Sequence, residues 1–523
     1  MLDLGTSFLA SAERDPNAVA IVDGDVRLSY ADWRGVIASV AAGMGGLGLR
    51  QGDHVLTVVQ NSWQAATLHW ACQLSGVIVT PLNWRAKADE IDWCIGDGEA
   101  CAVVYDDSSA ESVAAAPAAQ RLPRIDACDA RAGEVDTRPG VIPFTDLATA
   151  GDAEPKPMAG PEDWSLMLYT SGTTSRPKGV PRRHRAERAA AVAHVAQNLY
   201  AHGECTLGVM PVYHTMGVRL LLAMSLIGGC FVCLRRFDPA AALALIARER
   251  ITNLYLVPTL YHDLLNAPGF ADAEVSSVRK LGFAGAPMTD GLLGRLVAAF
   301  QPELFVNHYG SSEVYTCTIN QDAPAKPGSA GRSGINQMIR VARLGAASPA
   351  DLAAPGEEGE VIALLAGDEA FEGYWRRPDA DAKALRDGWY FTGDTGYFDP
   401  DGDLFVTGRV DDMIITGGEN VSPVEVERCL SLHQAVGEVA VVGLPDERWG
   451  KVVTAFIAAQ SAVAPDELDR HCRDSGLANY KRPRRFVFVR EIPKSPVGKL
   501  LRRKLVAGEY EPLAPDDTKE THA

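Results

Sequence analysis

The chain has 523 residues, 47% hydrophobic and 22% charged, a balance that excludes global disorder, collagen and coiled coil. Its formal net charge of −17 argues against a general nucleic-acid binder, which would be basic. The ten cysteines are scattered, and Cys230 and Cys233 read as buried thiols in an apolar run with no second ligand pair. That usage fits a reducing cytoplasm. The start, MLDLGTSFLASAERD, has no basic n-region and no long apolar core, so it is not read as a signal peptide. The longest apolar stretch, from Leu220 to Leu234, falls short of the roughly 20 residues a membrane span needs.

In chain order, short β-rich runs alternate with helical patterns. DHVLTVVQ, GVIVTPL, ACAVVYD, LMLYT, GGCFVCL, TNLYLVP, KLGFAGA and LFVNHYG read as strands. WQAATLHWACQLSG and PMTDGLLGRLVAAFQ read as helices between them. The alternation predicts βαβ units and a large α/β domain of parallel-type sheets flanked by helices. The Ala-rich stretch from Ser108 to Gln120 reads as a surface helix or loop. From Gly388 the style changes, and Asp399-Pro400-Asp401-Gly402 predicts a tight hairpin turn. Two helical patterns (SPVEVERCLSLH, APDELDRHCRDSG) then lie among short strands (VAVVGL, VVTAFIAA, RFVFVR), a small α+β unit. The expected domains are residues 1–409 and 410–523, with the boundary near Arg409-Val410-Asp411.

The strand LMLYT runs into Thr170-Ser171-Gly172-Thr173-Thr174-Ser175-Arg176-Pro177-Lys178-Gly179, with a helical pattern after it. Small residues let backbone N–H groups approach an anion, hydroxyls add donors, and Lys178 adds charge, so the parts are those of a phosphate cradle. It is not a Walker A loop. The string resembles the signature of the acyl-adenylate-forming superfamily, which holds acyl-CoA synthetases, firefly-type luciferases and peptide-synthetase adenylation domains. Ser175 stands where that family usually has Gly.

Further motifs follow in the order the family requires. Tyr309-Gly310-Ser311-Ser312-Glu313 resembles YGxTE, with Ser312 for Thr. An aromatic ring can stack on adenine, a hydroxyl can meet the α-phosphate, and a carboxylate can hold Mg²⁺. Phe283-Ala284-Gly285-Ala286-Pro287 resembles the adenine-side loop. Gly388-Trp389-Tyr390-Phe391-Thr392-Gly393-Asp394 resembles GWxxTGD, whose Asp accepts from both ribose hydroxyls. Gly408-Arg409-Val410-Asp411-Asp412 matches the next block, with Arg409 toward ribose or phosphate and Asp411 at the hinge. Pro493-Lys494-Ser495-Pro496-Val497-Gly498-Lys499 resembles PKxxxGK, which makes Lys499 the catalytic lysine. A fixed ammonium there stabilises charge built up as pyrophosphate leaves.

The resemblance implies a large domain followed by a small mobile one, and two half-reactions. Carboxylate and Mg·ATP give acyl-AMP and pyrophosphate; a thiol then attacks. It assigns catalysis to Lys499, Glu313 and His214, and metal binding to Thr173 and Glu313. The nucleotide falls to Thr170, Ser171, Gly172, Thr173, Thr174, Lys178, Ala284, Gly285, Ala286, Tyr309, Gly310, Ser311, Ser312, Asp394 and Arg409. Coenzyme A is the expected thiol, held by Arg85, Gly417, Gly418, Trp449 and Arg482. Lys481-Arg482-Pro483-Arg484-Arg485 is a cationic run suited to its phosphates. No carrier-protein module follows Ala523, which counts against a multidomain peptide synthetase.

The blocks GRVDDMI, RWGKVVTAFI and LANYKRPRRFVFV resemble aryl-CoA ligases of the 4-chlorobenzoate type. By that resemblance His214, Thr215, Met216, Tyr255, Ala284, His308, Gly310, Tyr315 and Thr316 build the acid pocket. His308 and Tyr315 replace apolar residues there, and buried polar groups want partners. Either the acid carries a ring heteroatom or hydroxyl, or these two side chains bond each other and leave an apolar benzoate slot. The competing readings are a medium-chain or alicyclic acyl-CoA synthetase, an adenylating enzyme loading a carrier protein, and a silent nucleotide-binding protein. A homodimer is left open by the resemblance.

Overall fold

A computed structural model describes residues 2–128, 139–149, 154–170, 176–494 and 500–513, and of Asn420 the backbone only. Among the described residues the chain is α/β, with a large N-terminal domain of three sheets and a small C-terminal domain built on a fourth. The nine-stranded sheet carries Tyr255, Ala284 and His308 on adjacent strands. Its centre is parallel: Asn253–Leu256, Lys280–Ala284 and Leu304–Tyr309 lie side by side in register. Its edges, Val26–Ser29 and Arg332–Ser333, are antiparallel. The seven-stranded sheet is parallel through His54–Val58, Ile78–Pro81 and Ala100–Tyr105 and ends in an antiparallel hairpin, Trp164–Thr170 with Lys178–Arg183. These parallel strands are apolar on both faces because helices cover both sides.

The helix Trp63–Ser75 shows how local chemistry sets an element. Ser62 accepts from the Ala65 N–H at its start, and Gly76 closes its end at φ +73°, a left-handed position that suits glycine. The expected hairpin at Asp399 forms between Trp389–Phe398 and Leu404–Arg409. Lys326 clamps it from outside, its ammonium within 2.9 Å of carboxylates of Asp399, Asp401 and Asp403. The Ala-rich stretch after Ser108 contains a helix, Ala110–Ala115, but its inner side is core: Val113, Ala116 and Ala119 are buried beneath it. Small side chains pack there without a strong apolar stripe to announce it.

The small domain has its own core of Ile414, Val426, Leu430, Val441, Val453, Ile457 and Leu468. The turn Val410–Asp412 precedes it. The Val410 N–H donates to the Gly393 carbonyl at 2.8 Å, on the large side, and Asp412 takes Arg502 Nη1 at 3.4 Å, on the small side. No described helix is long and apolar enough to cross a membrane.

Candidate active site

The nucleotide side begins at the hairpin. The expected helix does not follow the phosphate loop directly; the strand Lys178–Arg183 intervenes and the helix starts only at His184. Pro181 inside that strand hides it in the sequence, since proline is unusual in a paired strand. Lys178 thus sits at the hairpin mouth, opposite Thr170. Ser171, Gly172, Thr173, Thr174 and Ser175 lie outside the described residues, as does Lys499. The Lys178 ammonium lies 4.0 Å above the Tyr374 ring, and the Tyr374 hydroxyl donates to Glu313 Oε1 at 2.8 Å. Burial pulls the Lys178 pKa down, while the nearby Glu313 carboxylate pulls it back up. Glu313 itself is buried.

At the end of the strand Leu304–Tyr309, the Tyr309 hydroxyl donates to Asp394 Oδ2 at 2.6 Å. Arg409 Nη1 donates to Asp394 Oδ1, also at 2.6 Å. Both carboxylate oxygens of Asp394 are therefore engaged. Gly393 makes this approach possible: it has φ +72°, and a Cβ there would sit 2.8 Å from Arg409 Nη2. Ala284, Gly285 and Ala286 leave the end of the neighbouring strand, Lys280–Ala284, with Gly285 at φ +84°. Ser311 and Ser312 are half-buried in the loop that follows Tyr309. That loop is tight: the Ser311 N–H donates to the Val314 carbonyl and the Cys317 N–H to the Tyr309 carbonyl, each at 2.8 Å.

The acid-side residues gather around the same loop. His214 precedes the helix Thr215–Leu226, which carries Thr215 and Met216 in its first turn. The Met216 sulfur lies 3.9 Å from where a Cβ of Gly285 would be. Ala284 pairs with His308, and Tyr255 with Gly282 one strand over. A Cβ on Gly310 would lie 2.2 Å from the Tyr315 carbonyl oxygen. The two polar side chains singled out in the sequence do not bond each other. Tyr315 donates to Glu187 Oε2 at 3.0 Å, and His308 Nε2 meets the Asn198 amide at 3.1 Å. Tyr315 is thus already satisfied by the protein, which corrects the expectation that its hydroxyl waits for substrate.

The residues expected at coenzyme A divide between the two domains. Gly417 and Gly418 form a turn, both with positive φ, and the Gly417 N–H donates to the Trp449 carbonyl at 3.0 Å. The indole lies 2.8 Å from the place of a Gly417 Cβ, so only glycine lets it approach. Trp449 is 43% exposed, with Arg448 stacked on it. Arg85 is exposed and lies over the Trp84 ring at 3.6 Å. Arg482 is a different case. It holds Asp469 at 2.7 Å and the Asn479 side chain at 2.6 Å, and Lys481 and Arg485 are likewise engaged by Glu425 and Asp446. Three of the four cations of the run are paired with carboxylates inside their own domain, and the guanidinium of Arg484, exposed, contacts only Asn479 among the described residues. Asp411 is exposed in the turn before this domain. On either side of residues 495–499, Lys494 pairs with Leu500, and the Leu501 N–H donates to the Pro493 carbonyl at 2.8 Å.

A family model described as AMP-binding enzyme matches residues 8–375, and the AMP-binding enzyme C-terminal domain matches residues 425–499. The chain belongs to the AMP-binding enzyme family. It is 36% identical over 501 residues to a 4-chlorobenzoate–CoA ligase of an Arthrobacter species, covering 95% of this chain and 93% of that one. To a feruloyl-CoA synthase of an Amycolatopsis species it is 34% identical over 502 residues, covering 95% and 97%. ATP-bound MatB from Rhodopseudomonas palustris superposes with a TM-score of 0.87 at 28% identity, covering 97% of this chain and 99% of that one. As an AMP-binding enzyme the chain is of the adenylate-forming kind that its motifs resemble, with aryl-CoA ligases among its relatives.

Sequence reasoning about this AMP-binding enzyme missed a buried polar shell behind the acid side. Arg182 pairs with Glu187 at 2.7 Å, both fully buried. Arg219 donates to Thr316 Oγ1 at 2.5 Å and to the Tyr315 carbonyl at 3.3 Å, and Glu369 Oε2 accepts from the Thr316 N–H at 3.0 Å. The signal for Arg219 was present: a lone arginine in the apolar run MGVRLLLAM must find partners. Tyr374, in FEGYWRRP, carried no comparable signal.

Proposed function

We propose that this protein activates a small aromatic or heteroaromatic carboxylic acid with ATP and transfers it to coenzyme A. A carboxylate oxygen of the acid attacks the α-phosphorus, and pyrophosphate leaves with the electron pair of the broken P–O bond. The thiolate of coenzyme A then attacks the acyl carbon, and AMP leaves. One observation carries the reading: the loop from Tyr309 to Thr316 serves both sides. Tyr309 holds Asp394, Glu313 holds Tyr374 beneath Lys178, and Tyr315 and Thr316 meet the buried arginines of the acid side. Nucleotide and acid would thus meet within one short segment, which supplies the proximity a displacement needs.

In this reading Asp394 takes the ribose, Lys178 the phosphates, and Lys499 the charge that builds as pyrophosphate departs. Ser311, Ser312 and the Ser171–Thr174 hydroxyls donate to phosphate oxygens. Glu313 offers a hard oxygen donor whose other contact, the Tyr374 hydroxyl, fixes its orientation, so it suits a magnesium ion. When bound, such an ion supplies charge neutralisation on the phosphates. His214, at the mouth of its helix, would help close the carboxylate site. The boundary between the working units falls at residues 409 and 410, with Asp411 as pivot.

The test is product analysis. The protein is incubated with Mg·ATP and benzoate, hydroxybenzoates, 2-furoate, cinnamates, cyclohexanecarboxylate, hexanoate or octanoate, each with and without coenzyme A. An aryl thioester formed only with coenzyme A is expected. Acyl-AMP without thioester would point instead to a carrier protein as acceptor, and preference for octanoate or cyclohexanecarboxylate to an aliphatic or alicyclic ligase.

A further inference from the structure

Arg219 is 2% exposed within the apolar helix Thr215–Leu226. Its Nη1 and Nη2 are engaged by Thr316, the Tyr315 carbonyl and the Tyr255 hydroxyl, but Nε has no partner among the described residues. The same pattern recurs around the Tyr255 ring. The His308 ring lies 5.2 Å from it, bonded to Asn198 through Nε2, with Nδ1 unpartnered. The His194 ring lies 4.7 Å from it and 5.2 Å from the His308 ring, with Nε2 unpartnered. Both imidazoles are buried. A buried polar atom left alone costs about 1–3 kcal/mol. Three of them around one ring, on three different elements, point to a polar group that the chain itself does not provide.

We propose that the acid substrate carries an uncharged hydrogen-bond acceptor away from its carboxylate, a hydroxyl, ether or ring heteroatom, which Arg219 Nε holds together with His308 and His194. This rests on the reading of the site as an acid pocket. Arg219 Nε is a donor only, so the group it meets must accept. The charge around it is already balanced. Arg182 pairs with Glu187, and Arg219 and Glu369 share Thr316 as a hydrogen-bond partner. Two guanidiniums face two carboxylates, so a second carboxylate on the substrate would be a buried charge without a counterion. Burial holds both imidazoles well below the ordinary histidine range, so they add no charge at neutral pH. His194 Nδ1 accepts from the Asn198 amide, so its Nε2 donates as Arg219 Nε does; His308, whose Nε2–H can donate to the Asn198 carbonyl, can accept a hydrogen at Nδ1, which makes a phenol the best match. The substituent is read by Arg219, and not by Tyr315, whose hydroxyl belongs to Glu187.

The test compares kcat/KM for benzoate, the three hydroxybenzoates and terephthalate. The wild-type protein should favour one hydroxybenzoate over benzoate by about tenfold or more, the equivalent of one hydrogen bond of about 1.4 kcal/mol. Terephthalate should rank below both. Arg219→Lys keeps a cation beside Glu369 but removes Nε, and should bring the hydroxybenzoate-to-benzoate ratio close to one. His308→Phe should lower the same ratio without touching the ion pairs. A wild-type ratio at or below one for all three isomers overturns the proposal, and so does a ratio unchanged in Arg219→Lys or a preference for terephthalate. Thioester from every aromatic acid at equal rate sinks this inference alone; no adenylate from any of them sinks the acid-pocket reading beneath it.

Discussion

At the scale of single residues, the contacts of Glu313 and Asp394 make the sharpest predictions. Glu313→Gln keeps an acceptor for the Tyr374 hydroxyl and the same volume, but removes the charge beside Lys178. Adenylate formation, measured as acid-dependent pyrophosphate exchange, should fall about 10²- to 10³-fold, with the melting temperature nearly unchanged. A loss below tenfold would count against a role at the phosphates. Asp394→Asn keeps one acceptor and loses the charge-assisted bonds, so the KM for ATP should rise about 10- to 100-fold while the KM for the acid holds. The residue types at these positions were legible because YGSSE and GWYFTGD carry fixed spacings. Tyr374 was not, because its bond to Glu313 spans 61 positions and no local pattern reports it.

At the scale of elements, the loop after Tyr309 is held by backbone contacts too close for any side chain. Gly310→Ala would place a methyl group 2.2 Å from the Tyr315 carbonyl oxygen, so the loop must open. About 2–3 kcal/mol of stability should be lost, together with most of the activity. Calorimetry and the exchange assay check both; a variant as stable and active as the parent would refute the rigid loop. Strands were the easiest elements to read. KLGFAGA and LFVNHYG formed at Lys280–Ala284 and Leu304–Tyr309 because short, mainly apolar runs with Leu and Phe, and in the second Val and Tyr, fit a sheet covered on both faces. KGVPRR was lost to its proline, and the expected helix gave way to a hairpin. The run KRPRR was legible as charge, but not the pairing of three of its four cations, since Glu425, Asp446 and Asp469 come from other elements.

At the scale of the whole molecule, buried histidines set the acid limit. His54 and His184 are pushed down to about 4 and His69 to about 3, in each case chiefly by burial. Their folded values lie below the unfolded value of 6.5, so the unfolded chain takes up protons first as pH falls. Stability is therefore whole above about pH 6.5 and erodes below it, until the folded values are reached. At pH 5 each histidine should cost about 2 kcal/mol. The melting temperature should fall clearly between pH 7.5 and pH 5; a flat profile would show that the histidines are wet. The two-domain division was legible in the change of pattern near Gly388, whereas the polar shell behind the acid side was not, because it is assembled from distant segments.

The engaged carboxylate of Asp394 has one more consequence. In the proposed reading, ribose hydroxyls would share its oxygens with Tyr309 and with Arg409, which ends its strand just before the turn Val410–Asp412, since each oxygen can accept a second hydrogen bond. Asp412, at the far end of that turn, is bound to Arg502, next to the segment that carries Lys499. Next to Arg409, the Val410 N–H ties the turn to the large domain through the Gly393 carbonyl, while Asp412 ties it to the small one. If the proposed roles hold, one arginine would then stand between the carboxylate that receives the nucleotide and the turn on which the small domain pivots, so that occupancy of the one is felt at the other.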